Sequence, residues 1–163
     1  HLHGNKKNRL HADLDSNGWP QSGRKKALKL IKKANAVHIG GDQHLASIVH
    51  HGIDNFEDGP YQFIVPALVN NYYSRWWWPL NEKPGEKSNK KLPWTGRYLD
   101  GFKNKITMHA YANPDTKSNG AGFGFIRFNI EKNEVTFECW PRESNVLNAD
   151  AKQFTGWPLT VEL

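Results

Sequence analysis

A single cysteine, Cys139, stands in the 163-residue chain. An internal disulfide is therefore impossible, and a zinc site built from several thiolates is excluded with it. Long apolar runs are missing too: they reach about five or six residues, far short of the roughly 20 that span a bilayer, so no transmembrane helix is expected. The opening residues, His1-Leu2-His3-Gly4-Asn5, supply neither an initiator Met nor an apolar signal core. The chain is accordingly expected to start after processing or inside a longer protein. Acidic residues are scarce in one region only. Residues 1–33 hold Asp13 and Asp15 against nine lysines and arginines, whereas the other 130 residues hold 13 basic and 14 acidic side chains. The net charge of +6 thus comes from one short segment. A solvated helix face is the ordinary reading of such a cluster; attraction of an anionic, phosphorylated substrate is the functional one.

What the chain does contain is enough apolar and aromatic residue, 37% and 12%, to build a core. Residues 22–34 read as a helix, with Ser22 as N-cap after Pro20. Ala27, Leu30, Ile31 and Ala34 recur at i, i+3, i+4 and i+7, which predicts a buried stripe surrounded by lysines. Ala36-Val37-His38-Ile39 is short and apolar and ends at Gly40-Gly41, the pattern of a buried strand of a parallel α/β unit. Strands are also predicted over Leu45–Ile53 and Tyr61–Val65. An irregular stretch follows at 70–103. Alternation then predicts antiparallel strands over Lys105–Ala112, Gly122–Ile130 and Val135–Trp140, with a last one at Leu159–Leu163. The expected division is 1–69 as an α/β portion, 70–103 as a long aromatic and basic loop, and 104–163 as an antiparallel β region. A central parallel strand needs neighbours reached by crossovers, and nothing before residue 22 supplies them. A missing N-terminal portion or another chain is therefore expected to pack on residues 27–39.

Chemistry-bearing residues gather after the Ala36–Ile39 strand. Gly40-Gly41-Asp42-Gln43-His44 lies just past its carboxyl end, where open α/β sheets bind ligands. A carboxylate and an imidazole two residues apart can both reach one cation, and an oxygen–nitrogen donor set suits zinc, iron or manganese. A capped turn with a hydrogen-bonded Asp is the ordinary alternative. His50 and His51 follow closely and are candidates to face a substrate, against a reading as surface histidines. His38 reads as a satisfied core residue. Arg75, among Tyr72, Tyr73 and Trp76–Trp78, is suited to hold a phosphate or to stack on a base or sugar.

Several of these stretches, taken in order, resemble the PhoD-like (alkaline phosphatase D) branch of the calcineurin-like metallophosphoesterases. They are Ala12-Asp13-Leu14-Asp15-Ser16-Asn17-Gly18-Trp19-Pro20, the helix, and Val37-His38-Ile39-Gly40-Gly41-Asp42-Gln43-His44. Later come Ala110-Tyr111-Ala112-Asn113-Pro114, Gly122-Phe123-Gly124-Phe125-Ile126-Arg127-Phe128 and Glu138-Cys139-Trp140-Pro141-Arg142. The resemblance runs from about residue 10 to 160. It implies an α/β fold, the C-terminal part of a metallophosphoesterase-type α/β sandwich followed by antiparallel β-strands. It also implies metal-dependent hydrolysis of phosphate mono- or diesters, with Asp42 and His44 as late metal ligands. Asp13 and Asp15 then stand near the position of the family's Asp before its Gly-aromatic-Pro segment, and His51 and Arg75 become substrate-side candidates. The family's two-metal site, with iron, zinc, manganese or calcium open as its ions, takes its other ligands from motifs upstream of Gly-Asp-x-His that do not occur here. By that implication the chain alone is inactive, and its partners are a phosphate-ester substrate and an upstream portion. Export is a tendency of the family. The rival reading is a non-catalytic β domain that binds carbohydrate or nucleic acid through its seven tryptophans; without an oligonucleotide-binding signature, nucleic acid is not expected.

Overall fold

A computed structural model gives the structure of residues 20–68, 83–112 and 120–163. Helix α1 spans Gln21–Lys33. Pro20, extended at φ −74° and ψ 153°, occupies the N-cap without a side-chain bond, so the cap expected of Ser22 is not used. At the other end the Ala34 and Asn35 N–H groups bond back to the Leu30 and Lys32 carbonyls, with Asn35 in the left-handed region at φ 50°. Lys32 and Lys33 sit in the last turn, where the helix dipole favours cations.

The face that α1 buries differs from the expected one. Leu28 is its buried residue, and Gln21, Arg24 and Ile31 are half-buried beside it. These positions recur at i, i+3, i+7 and i+10, a stripe as helical as the predicted one. Ala27 and Ala34 are exposed, and Leu30 is 58% exposed. Two polar residues displace two alanines and a leucine because Gln21 and Arg24 have hydrogen-bond partners waiting: Asn104 Nδ2 donates to Gln21 Oε1 at 2.7 Å, and Arg24 reaches His51.

Eight strands follow: β1 (His38–Gly40), β2 (Ser47–His51), β3 (Tyr61–Ile64), β4 (Gly96–Leu99), β5 (Lys105–Tyr111), β6 (Gly122–Asn129), β7 (Glu134–Pro141) and β8 (Leu159–Glu162). The first five form one sheet in the order β1-β3-β2-β5-β4, and the last three form a second in the order β6-β7-β8. The chain is therefore mixed α/β with mostly β content. β2 and β3 make a hairpin closed by the His51 N–H to the Pro60 carbonyl and the Gly59 N–H to the His51 carbonyl, at 3.1 and 2.9 Å. β4 runs antiparallel to β5, from Gly96 opposite Met108 to Leu99 opposite Lys105. β6 and β7 pair over their full length, from Gly122 opposite Pro141 to Asn129 opposite Glu134, and β8 adds along the first half of β7.

Two expectations are corrected here. Among the described residues β1 lies at the edge of its sheet, with β3 as its one strand neighbour. His38 and Ile39 are exposed, so His38 is not a core residue. The stretch 70–103 is also not irregular throughout. Gly96 takes φ 101°, and its place against the Gly85 and Glu86 backbone leaves no room for a Cβ. The glycine admits a close backbone crossing there and starts β4.

The chain divides into two compact units. Among the described residues the first comprises 20–38, 49–62 and 83–109, and the second 39–48, 63–68, 110–112 and 120–163. Leu28, Leu92 and Met108 are the buried apolar residues of the first. The second buries Ile48, Phe63, Tyr111, Val135, Phe137, Cys139 and Trp157, among others. Its centre is aromatic: the Phe63 ring lies 5.5 Å from Phe137 and 5.4 Å from Trp157. Gly124 lets the Phe63 ring approach the β6 backbone, since a Cβ at Gly124 would lie 2.7 Å from Phe63 Cζ. The alternation of β7 is visible in burial, with Val135, Phe137 and Cys139 all fully inside.

Candidate functional site

In the second unit, the chain leaves β1 through Gly41 and turns sharply. The Gln43 N–H bonds the Gly41 carbonyl at 2.8 Å, and both Asp42 and His44 take left-handed conformations, at φ 62° and 55°. Non-glycine residues rarely hold positive φ, at a cost of about 1–3 kcal/mol each in sparsely populated regions, and such strain clusters at functional sites. Two such residues separated by one position bring their side chains together: His44 Nε2 lies 3.9 Å from Asp42 Oδ1. The Asp42 side chain is fully exposed and that of His44 is 22% exposed.

A carboxylate oxygen and an imidazole nitrogen are donor types that zinc, iron and manganese take. Two tetrahedral ligands with bonds of about 2.1 Å stand about 3.4 Å apart, so the observed pair would have to close by roughly half an ångström to share one ion. The observed separation exceeds a hydrogen bond and lies at the outer limit of an ion pair. Among the described residues no group of three or more His, Cys, Asp or Glu side chains gathers to hold an ion. Asp42 and His44 are thus two donors without a third beside them among the described residues. Asp13, Asp15 and Arg75 lie outside the described residues.

His51, in the first unit, occupies a different setting. Arg24 NH2 approaches its Nδ1 at 3.0 Å, and Gln62 Oε1 lies 2.6 Å from its Nε2. Both ring nitrogens are occupied, and burial pushes the imidazole down to about 4. His51 ties α1 to β2 and β3. His50, on the adjacent position and so on the opposite face, stacks on Tyr61 with ring centroids 3.9 Å apart. Its Nε2 meets the Gly59 carbonyl at 2.9 Å, and burial lowers its pKa.

Two further groups had no counterpart in the sequence reading. His109, on β5, lies 5.7 Å from the Tyr61 ring and 6.1 Å from His50. Its Nε2 is buried without a hydrogen-bond partner among the described residues, and burial together with the neighbouring His50 lowers its pKa. The period-2 pattern of Lys105–Ala112 puts His109 on one face with Thr107, which is the signal that could have found it. Glu57 receives Arg97 Nε at 3.0 Å on one oxygen and Arg97 NH2 at 2.8 Å on the other, and Thr107 donates to it at 3.0 Å. The bidentate guanidinium holds its carboxyl down at about 2. Glu57 and Arg97 are 40 residues apart in the chain, so no local motif marks the pair. Its partners are all satisfied, as befits a structural ion pair.

Compared with known proteins, the sequence matches no family model, no curated protein is significantly similar to it, and no solved structure matches the fold significantly.

Proposed function

We propose that this chain takes part in metal-dependent hydrolysis of phosphate mono- or diesters, as part of a longer PhoD-like phosphatase, with Asp42 and His44 as two of its metal ligands. The observation that carries this reading is the 3.9 Å approach of His44 Nε2 to Asp42 Oδ1 on the two left-handed residues that flank Gln43. The ordered resemblance from about residue 10 to 160 supplies the reaction class. A two-metal centre lowers the pKa of a bound water and neutralises charge on the phosphoryl group. Within it Asp42 contributes a hard, anionic oxygen donor, and His44 a neutral imidazole nitrogen fixed by its half-buried ring. The proposal includes a packing partner on residues 27–39, an upstream portion or another chain. Leu30 at 58% exposure and Ile39 at 52% support it, each being a large apolar side chain facing solvent. Two donors alone do not hold the pair of ions that the mechanism needs, so the isolated chain is expected to be inactive.

The test is metal binding by the chain itself. Titrating Mn2+ into labelled protein should broaden the His44 ring and Asp42 backbone resonances first. Asp42→Ala and His44→Ala should each abolish that selective broadening. Uniform broadening at His38, His50 and His44 alike would remove the metal assignment. Robust phosphodiester turnover by this chain, lost with chelator and with Asp42→Ala, would refute the expected inactivity.

A further inference from the structure

The Arg24–His51–Gln62 contact fixes a protonation state, and that state has a consequence. Arginine has five N–H donors and no acceptor, and does not deprotonate in proteins. With Arg24 NH2 3.0 Å from His51 Nδ1, Nδ1 must present its lone pair. The ring proton therefore resides on Nε2, where it is donated to Gln62 Oε1 at 2.6 Å. A second proton can enter only at Nδ1, where its N–H would face the guanidinium and add a second positive charge about 3 Å away, a repulsive pair in a half-buried setting.

We propose that Arg24, His51 and Gln62 form an acid-releasable clasp, in which protonation of His51 Nδ1 expels Arg24 and loosens the N-terminal half of α1 from β2 and β3. The charged and titratable neighbours favour the neutral ring. Arg24 faces it from α1, His38 from β1 and His50 from its own strand, each of them disfavouring the imidazolium, while Gln62 on β3 favours it by hydrogen bonding. Asp100, in the turn before β5, attracts Arg24 and is placed to retain the guanidinium once His51 releases it. The C-terminal half of α1 is held separately, by Lys32 donating to the Asp58 carbonyl. In the N-terminal half Gln21 stays bonded to Asn104 and Lys25 stays paired with Asp54, so release loosens the first turns around Arg24 without detaching them. Acid would loosen the start of a helix that carries Lys25, Lys26, Lys29, Lys32 and Lys33 with no acidic residue in it.

The experiment is a pH titration of the labelled full chain by NMR. At neutral pH the His51 nitrogen shifts should report the Nε2–H tautomer; an Nδ1–H tautomer overturns the clasp. Lowering the pH should protonate His51 below its ordinary value and, with the same midpoint, reduce exchange protection of the Lys25–Leu28 amides by about tenfold after correction for intrinsic rates. His51→Gln retains an acceptor and a donor but cannot titrate, so the acid-dependent loss should vanish. Persistence of the same loss in that variant refutes the proposal. Gln62→Glu places a carboxylate at Nε2 and should raise the midpoint by about one pH unit. An unmoved midpoint there refutes it independently, even if His51→Gln fails to fold.

Discussion

The two compact units stay folded by different means. In the first, the buried apolar side chains among the described residues are Leu28, Leu92 and Met108, and long-range polar contacts connect the elements. Lys25 pairs with Asp54, Arg97 with Glu57, Arg24 with His51, and the Asp58 carboxylate caps three backbone N–H groups at Ile53, Asp54 and Asn55. In the second, the rings of Phe63, Phe137 and Trp157 meet, and Val135 and Cys139 are fully buried on the same strand as Phe137. Apolar burial does not titrate with pH, whereas ion pairs and neutral histidines do. The comparison teaches that one unit should answer to cavities and the other to protons.

The largest expected effect is a cavity in the second unit. Phe137→Ala removes a ring that is completely buried and should cost about 3–5 kcal/mol, measured by urea unfolding. Cys139 offers a local readout, because burial raises its thiol pKa and withholds it from thiol reagents. Its labelling should be slow in the native protein and fast in Phe137→Ala at low urea. Equal labelling rates in the two would erase the distinction between the units.

An intermediate effect is expected from acid in the first unit. Glu57 has its folded pKa depressed to about 2 by Arg97 and Thr107, from an ordinary value near 4.5. A depressed carboxylate contributes stability that is fully present above the unfolded pKa and is lost as pH falls through the folded one. The urea midpoint reported by backbone amides of β4 and β5 should therefore fall between about pH 4.5 and 2. Glu57→Gln should flatten this decline and lower the midpoint at pH 7. A decline of equal slope in Glu57→Gln would assign it to other groups.

The smallest effect concerns the candidate metal pair. Asp42 is fully exposed and left-handed at φ 62°, a conformation that Asn tolerates as well as Asp does, so Asp42→Asn should leave the urea midpoint unchanged while weakening selective Mn2+ broadening. A clear fall of the midpoint would mean that the Asp42 carboxylate holds the turn together, and its metal role would lose its support.

Much of the strand pattern was legible because each strand buries one face. Tyr61–Val65, Lys105–Ala112, Gly122–Ile130 and Val135–Trp140 differ from β3, β5, β6 and β7 by about one or two residues at their ends. β4 escaped notice because Gly96-Arg97-Tyr98-Leu99 carries little apolar character, and its strand state comes from pairing with β5. The existence of α1 was readable, but its orientation was not. Ile31 belongs to both candidate stripes, and the choice fell to the polar partners of Gln21 and Arg24. For β1, apolar composition predicted a covered strand, while sheet order among the described residues places it at the edge. The nearness of Asp42 and His44 was expected from their two-residue spacing; the observed approach comes from two left-handed residues in a turn.

Sequence by itself determined the local periodicities and the chemistry on offer: which segments alternate, where the lysines cluster, and that a carboxylate and an imidazole stand two residues apart. Those properties depend on neighbours within a few positions, so they survive in a one-dimensional reading. Tertiary structure alone decided which stripe of α1 faces inward, which strand is an edge, and which charges meet. Arg24 and His51 are 27 residues apart, and Glu57 and Arg97 are 40. Such contacts form only when strand pairing brings distant segments within hydrogen-bond reach, and that pairing is a property of the whole sheet.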